Sequence, residues 1–222
     1  MKNNIFAIAI DGPASSGKST IAKSISKKLG ILYVDTGAMY RAVALFCIRK
    51  GISTTDEDAV NSVLDEIDMD IKTIDGIQHI ILNGEDVSDK IRTQEVGQGA
   101  SDVAVFFNVR ERLVEIQRNI AKEESVVMDG RDIGTNVLKD AQYKIYLTAS
   151  LDERASRRYA EYVAAGENFT LEEVKAQLAI RDKNDMEREH NPLTKAEGAL
   201  EIDSTNMSIE EVENAILDYV QK

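Results

Sequence analysis

The sequence predicts an α/β protein: a three-layer αβα arrangement around a five-stranded parallel sheet, with a helical lid and an insertion that contains a β-hairpin. Three observations predict it. "IFAIAI" (5–10) is a continuous apolar run, the pattern of a strand buried on both faces, and it passes straight into a glycine loop and a helix in "DGPASSGKST". A second run, "ILYV", is followed at once by another helical segment; strand–helix–strand–helix order calls for parallel pairing with right-handed crossovers. Three further strands, in "SVVMDGRDIGT", "YKIYLT" and "LEID", are separated by helical patterns.

Composition narrows the chemistry. At 222 residues the chain suits one elaborated domain, and 43% hydrophobic with 30% charged residues is a globular balance. A net charge of -12 repels polyanions, which argues against nucleic-acid polymers and anionic membranes as partners. Phosphate chemistry here must therefore rely on locally gathered cations. The single cysteine, Cys47 within "VALFCIRK", reads as a small core residue, and the short apolar run near the start resembles neither a secretory leader nor a membrane span. A cytoplasmic protein is expected.

The first loop carries the strongest signal. Gly12, Gly17, Lys18 and Ser19 have the spacing G-x-x-x-x-G-K-S, which marks a phosphate loop when it lies between a strand and a helix. Its residues, Gly12, Pro13, Ala14, Ser15, Ser16, Gly17, Lys18, Ser19 and Thr20, are expected to bind a nucleoside triphosphate, which the resemblance given below implies is ATP. The glycines let backbone N–H groups surround phosphate oxygens, Lys18 reaches the β and γ phosphates, and Ser19 ligates Mg²⁺. Beyond the second strand Asp35 or Thr36 caps a helix that Gly51 stops, and Asp35, Thr36, Tyr40 and Arg41 lie past the carboxyl end of a strand, where ligands of such sheets collect. Arg41 sits near the start of a helix, where a cation is slightly disfavoured, which points to an anionic ligand.

Regular alternation then breaks. Residues 56–66 read as helix, and "MDIKTIDGIQHIIL" as a hairpin turning at Asp75-Gly76, with His79 an ordinary strand residue. A polar stretch leads into a helix from Thr93 to about Phe106. Another is opened by Asn108 with Glu111 as reciprocal cap, burying Val109, Leu113, Ile116 and Ile120 beside Arg110. Asp129 ends the next strand, as expected of a carboxylate that holds Mg²⁺ through water beside the loop, and Arg131 and Asp132 follow it.

Between the fourth and fifth strands lie two helices, the second begun by a Thr170/Glu173 capping box; another box, Ser208/Glu211, opens the last helix. Arg154, Arg157 and Arg158 share one helical face, which like-charge repulsion disfavours unless something anionic compensates. Helices carrying arginines that fold down on a triphosphate would make a lid, excluding water during phosphoryl transfer. In "RDKNDMER", Arg181, Asp185 and Arg188 fall at i, i+4 and i+7, either a solvated ion-pair stripe or a face that reads a ligand. No general base stands out, and none is needed if the acceptor is itself an ionised phosphate. The N-K-x-D and D-x-x-G signals of a GTP switch are absent.

"IAIDGPASSGKST", "YVDTGAMYRAVAL", "IRTQEV", "VVMDGRDIGT", "KIYLTASLDERASRR" and "RDKNDMER…NPLTKAEGALEIDST" together resemble the bacterial cytidylate kinase family, nearly end to end. The resemblance implies a monomeric nucleoside monophosphate kinase that uses ATP and Mg²⁺ (Ser19, Asp129) to convert CMP or dCMP to the diphosphate. It implies a core of about 1–55, 93–150 and 190–222, an acceptor-binding insertion of about 56–100 and a lid of about 152–189. It places Arg181, Asp185 and Ser101 at the ribose, and Thr36, Arg110, Asp132 and Arg188 around the cytosine. Arg41 and Arg131 fall on the acceptor phosphate, and Arg157 and Arg158 in the lid, so that Lys18, Arg41, Arg131, Arg157 and Arg158 form the catalytic set. The family more usually has serine where this chain has Thr36, and "PASS" and "TNVLKD" also vary from the commonest form. A kinase for another monophosphate such as UMP, or a nucleotide-binding regulatory module, are the competing readings.

Overall fold

A computed structural model describes residues 5–74 and 77–221. In chain order its elements are β1 (Ala7–Asp11), α1 (Lys18–Leu29), β2 (Leu32–Asp35), α2 (Thr36–Arg49), α3 (Glu57–Ser62), β3 (Met69–Ile74), β4 (Ile77–Leu82), β5 (Glu85–Asp86), α4 (Gln94–Val103), α5 (Phe107–Glu123), β6 (Val126–Gly130), β7 (Tyr143–Thr148), α6 (Leu151–Ala164), α7 (Leu171–Glu187), β8 (Leu200–Asp203) and α8 (Ile209–Val220). Single helical turns lie at Leu64–Glu66, Lys90–Arg92 and Ile133–Val137, the last of π type. The five strands β1, β2, β6, β7 and β8 make a parallel sheet with flanking helices, as expected of a phosphate-loop fold. By its contacts the chain divides into two compact units, Met1–Ile31 with Val126–Lys222, and Leu32–Ser125.

In the first unit the strand order is β6-β1-β7-β8. β1 is paired on both edges, from Ala7↔Val126 to Asp11↔Gly130 on one side and from Ile8↔Tyr143 to Asp11↔Tyr146 on the other. Strands enclosed in this way need apolar residues on both faces, and Ile8, Ile10, Val126, Val127, Met128, Ile145 and Leu147 are all buried. α1 begins directly after Gly17 and is closed by Gly30 in the left-handed region, whose N–H bonds to Ser26 O. α6 and α7 share a small apolar cluster in which Ala155, Val174 and Leu178 meet Ala14 of the phosphate loop. The capping boxes at Thr170/Glu173 and Ser208/Glu211 both form as expected.

The second unit surrounds an apolar core drawn from α2, the β3–β4 hairpin, α4 and α5, with Met39, Ala42, Cys47, Ile80, Leu82, Val103 and Leu113 among its buried members. Asp35, rather than Thr36, caps α2, its Oδ1 accepting from Ala38 N at 2.9 Å. The hairpin pairs Met69↔Leu82 through Ile74↔Ile77, and its Asp75-Gly76 turn lies outside the described residues. Two features differ from expectation. The polar stretch after the hairpin adds a third strand, β5, whose two residues are too few to show a period. α5 starts at Phe107, not at an Asn108 cap, and no side chain caps it; burial of Phe106 fixes the chain one residue ahead of the helix. Among the described residues no helix is long and apolar enough to cross a membrane.

Candidate active site

The phosphate loop hangs between β1 and α1. Gly12 has φ +154, and a Cβ there would fall 2.0 Å from the Leu147 carbonyl oxygen on β7, so only glycine lets the loop leave the sheet here. Ser15 and Gly17 are also left-handed, at φ 59 and 91. Lys18, the first residue of α1, is buried and folds back over its own loop, donating to Pro13 O at 2.6 Å and Ser16 Oγ at 3.3 Å. Burial, then the nearby Arg131 guanidinium, push its ammonium down to about 7. Thr20 is exposed on α1.

Carboxylates approach the loop from neighbouring strand ends. The Ser19 hydroxyl donates to Asp129 Oδ2 at 2.8 Å, so the two residues expected to serve a cation are in contact. Hard oxygen donors of this kind suit Mg²⁺, which keeps most of its shell for water and phosphate. Asp11, at the end of β1, was missed as a site residue. Its two oxygens accept from Ile133 N and Gly134 N, both at 2.7 Å, tying the end of β1 to the turn that follows Arg131 and Asp132. Burial pushes its carboxyl up to about 6 despite these bonds. A carboxylate closing a buried strand immediately before the first loop glycine was the available signal.

The stripe on α7 is not a solvated salt-bridge row. Asp185 Oδ2 accepts from Arg131 Nε at 2.7 Å, and Arg188 Nη2 donates to Asp132 Oδ1 at 3.0 Å, joining α7 to the segment after β6. Burial raises Asp185, and the guanidiniums of Arg131, Arg181 and Arg188 more than reverse that, leaving it below the usual carboxylate range. Asn136 Nδ2 holds the other oxygen of Asp132 at 3.0 Å.

The three arginines of α6 separate in the structure. Arg154 turns inward to Asp182, at 2.6 Å. Arg157 pairs with Glu153 and donates to Ser204 O at 2.9 Å and Ser16 O at 3.4 Å, which places it beside the loop. Arg158 pairs with Glu161 at 2.9 Å and lies over the Tyr162 ring. The repulsion expected between them is thus met by neighbouring carboxylates.

In the second unit, Thr36 is buried in the first turn of α2 and Arg110 is buried on α5. The Arg110 guanidinium stands 5.8 Å from the Tyr40 ring centre and donates to Ala104 O at 3.1 Å. Ser101 bonds back to Gly97 O on α4, and Arg41 is half-buried on α2. Gln78 of the hairpin accepts from Asp35 N at 2.6 Å, fixing the start of α2.

The family model described as cytidylate kinase matches residues 8–222. The cytidylate kinase of a Geobacillus species is 50% identical over 222 residues, covering 100% of this chain and 99% of that protein. Those of Caldicellulosiruptor bescii and Bacillus subtilis are 49% and 46% identical, covering 97% and 98% of this chain and 95% and 97% of theirs. Among solved structures, an uncharacterized protein from Eubacterium ventriosum superposes with a TM-score of 0.57 at 13% identity, covering 98% of this chain and 99% of that one. A gluconokinase from Sinorhizobium meliloti gives 0.51 at 13%, covering 97% and 92%. At such identities these two likenesses concern the fold alone.

Proposed function

The chain belongs to the cytidylate kinase family, and from that premise we propose how its residues divide the work of phosphorylating a pyrimidine monophosphate. The protein transfers the γ-phosphoryl group of ATP to CMP or dCMP, giving ADP and CDP or dCDP. The observation that carries the assignment of parts is one constellation of the first unit. A buried Lys18, the Ser19–Asp129 pair and an Arg131 already fixed by Asp185 stand around the carboxyl ends of β1 and β6.

ATP lies on the loop Gly12–Thr20. Lys18 leaves its intraloop partners for the β and γ phosphates, whose charge restores the proton affinity that burial takes from it. Ser19 and Asp129 would hold Mg²⁺, which would neutralise charge on the phosphate oxygens during transfer. Arg131 commits Nε to Asp185, so the outer edge of its guanidinium is set in place for the acceptor phosphate, with Arg41 as the second cation. By the family resemblance Asp185 and Arg181 take the ribose, helped by Ser101. Asp132, Arg188, Arg110 and Thr36 take the cytosine, with Tyr40 backing Arg110. A small pyrimidine offers few polar atoms, so selectivity rests on buried groups that a wrong base would leave unpaired. Arg157 and Arg158 belong to the lid, about 152–189, and residues of about 56–100 form the acceptor insertion. No proton acceptor is required of the protein, because the attacking phosphate oxygen is already ionised near neutral pH; positioning and charge neutralisation suffice. The protein acts as a cytoplasmic monomer.

ADP production from ATP and Mg²⁺ against CMP, dCMP, UMP, AMP, GMP and dTMP tests this reading. CMP and dCMP should lead by a wide margin. If another monophosphate leads, the roles of Thr36, Arg110, Asp132 and Arg188 must be redrawn; if none stimulates ADP release, phosphoryl transfer itself is refuted.

A further inference from the structure

Both polar groups of one phosphate-loop residue, Ala14, are held by a buried ion pair that belongs to neither the donor nor the acceptor set. Asp182 on α7 accepts from Ala14 N at 3.3 Å through Oδ1, and its Oδ2 meets Arg154 Nη1 of α6 at 2.6 Å. The same Nη1 donates to Ala14 O at 3.1 Å, while Arg154 Nε donates to Ala149 O at 2.9 Å. Arg154, Asp182 and Ala14 are only 6%, 8% and 3% exposed, so this network is not a surface pair whose worth water would cancel.

The arrangement has a consequence for the next residue. In a trans peptide the C=O and N–H point in opposite directions, so fixing the Ala14 carbonyl on Arg154 turns the Ser15 N–H away from Arg154. Ser15 is in the left-handed region at φ 59, a conformation that a non-glycine residue keeps only when its surroundings over-determine it. Its hydroxyl oxygen is buried and makes no hydrogen bond among the described residues.

We propose that Arg154 and Asp182 are positioning residues for ATP: by clamping the two peptides that flank Ala14, they aim the Ser15 N–H and hydroxyl at a phosphate oxygen of the nucleotide. The inference rests on the loop being the ATP site. It extends that reading to α6 and α7, whose own packing against Ala14 through Ala155, Val174 and Leu178 couples the shape of the loop to the position of these two helices.

Two variants of the full chain test it, with ATP affinity read by calorimetry and the fold by thermal melting. Arg154→Lys keeps a cation for Asp182 but cannot serve Ala14 O, Ala149 O and the carboxylate together. It should melt close to the parent yet bind ATP about tenfold more weakly, with the CMP KM at saturating ATP changed less than about twofold. The double variant Arg154→Met/Asp182→Leu removes both charges for apolar groups of similar size, an exchange that buried pairs commonly tolerate, and should lose ATP affinity at least as far. Parent-like ATP affinity in either folded variant overturns the proposal, as does a loss shared equally between ATP and CMP; if the double variant does not fold, Arg154→Lys decides alone. Because the titration needs no acceptor, it reads the clamp even if CMP fails to stimulate ADP release, a failure that would count against the proposed reaction and not against the clamp.

Discussion

Around the phosphate loop the buried side chains are largely charged: Asp11, Lys18, Asp129, Asp132, Arg154 and Asp182 are all hidden from solvent. The unit Leu32–Ser125 is the reverse, an apolar core with a few polar groups, such as Arg110 and Gln117, set into it. The difference shows where each region's free energy is invested. Apolar burial, that of the β3–β4 hairpin included, stabilises the second unit. Around the loop, desolvated charges are kept at some cost because their geometry, not their contribution to folding, is what matters.

Substitutions should separate the two behaviours. The largest effect is expected at Lys18. Lys18→Ala should lower kcat for ADP formation by about a thousandfold or more while the thermal melt stays near the parent. Near-normal turnover would remove the loop from the chemistry and erase the contrast. Next comes Leu82→Ala on β4, which opens a cavity in the second unit and should cost about 2–5 kcal/mol in urea unfolding, with kcat unchanged wherever the variant is folded. A kcat loss in folded protein would mean the core also tunes the site.

Asp11→Asn sharpens the comparison on the pH axis. A carboxyl raised from 3.8 to about 6 binds its proton more tightly in the folded state, so its contribution makes stability fall as pH rises from about 4 to about 6. Removing the charge should therefore change the parent–variant difference in unfolding free energy by about 2 kcal/mol between pH 4 and pH 7. Parallel stability curves would show that its bonds to Ile133 and Gly134 N–H already offset burial.

The strand–loop–helix core and both capping boxes were legible because their signals are local: an apolar run, glycines at fixed spacing, Ser or Thr three residues before Glu. The contact of Ser19 with Asp129 followed from knowing what the loop is for. What could not be read are pairings across long stretches of chain, Asp11 with the 133–134 amides and Asp182 with Ala14 and Arg154. No periodicity distinguishes these carboxylates from exposed ones, and Asp182 in particular looks like any other charge on an amphipathic helix. The π turn at Ile133–Val137 escaped for the same reason, since the Asp11 oxygens that meet its first two amides lie more than a hundred residues earlier. The misplaced start of α5 has a different cause: Asn108 offered cap chemistry, and burial of Phe106 outweighed it.

The way the two units interleave along the chain bears on how the protein is made. Leu32–Ser125 is contiguous, whereas β1 must wait for β6 and β7, whose first partners in register are Val126 and Tyr143. During ribosomal synthesis, at roughly 5–20 residues per second, the strand that leads into the phosphate loop therefore stays unpaired for on the order of ten seconds while the intervening unit has all it needs to collapse. An apolar strand with both edges open is a template for unwanted pairing, so the earliest nucleotide-binding segment to emerge is exposed to aggregation until β6 and β7 have followed it.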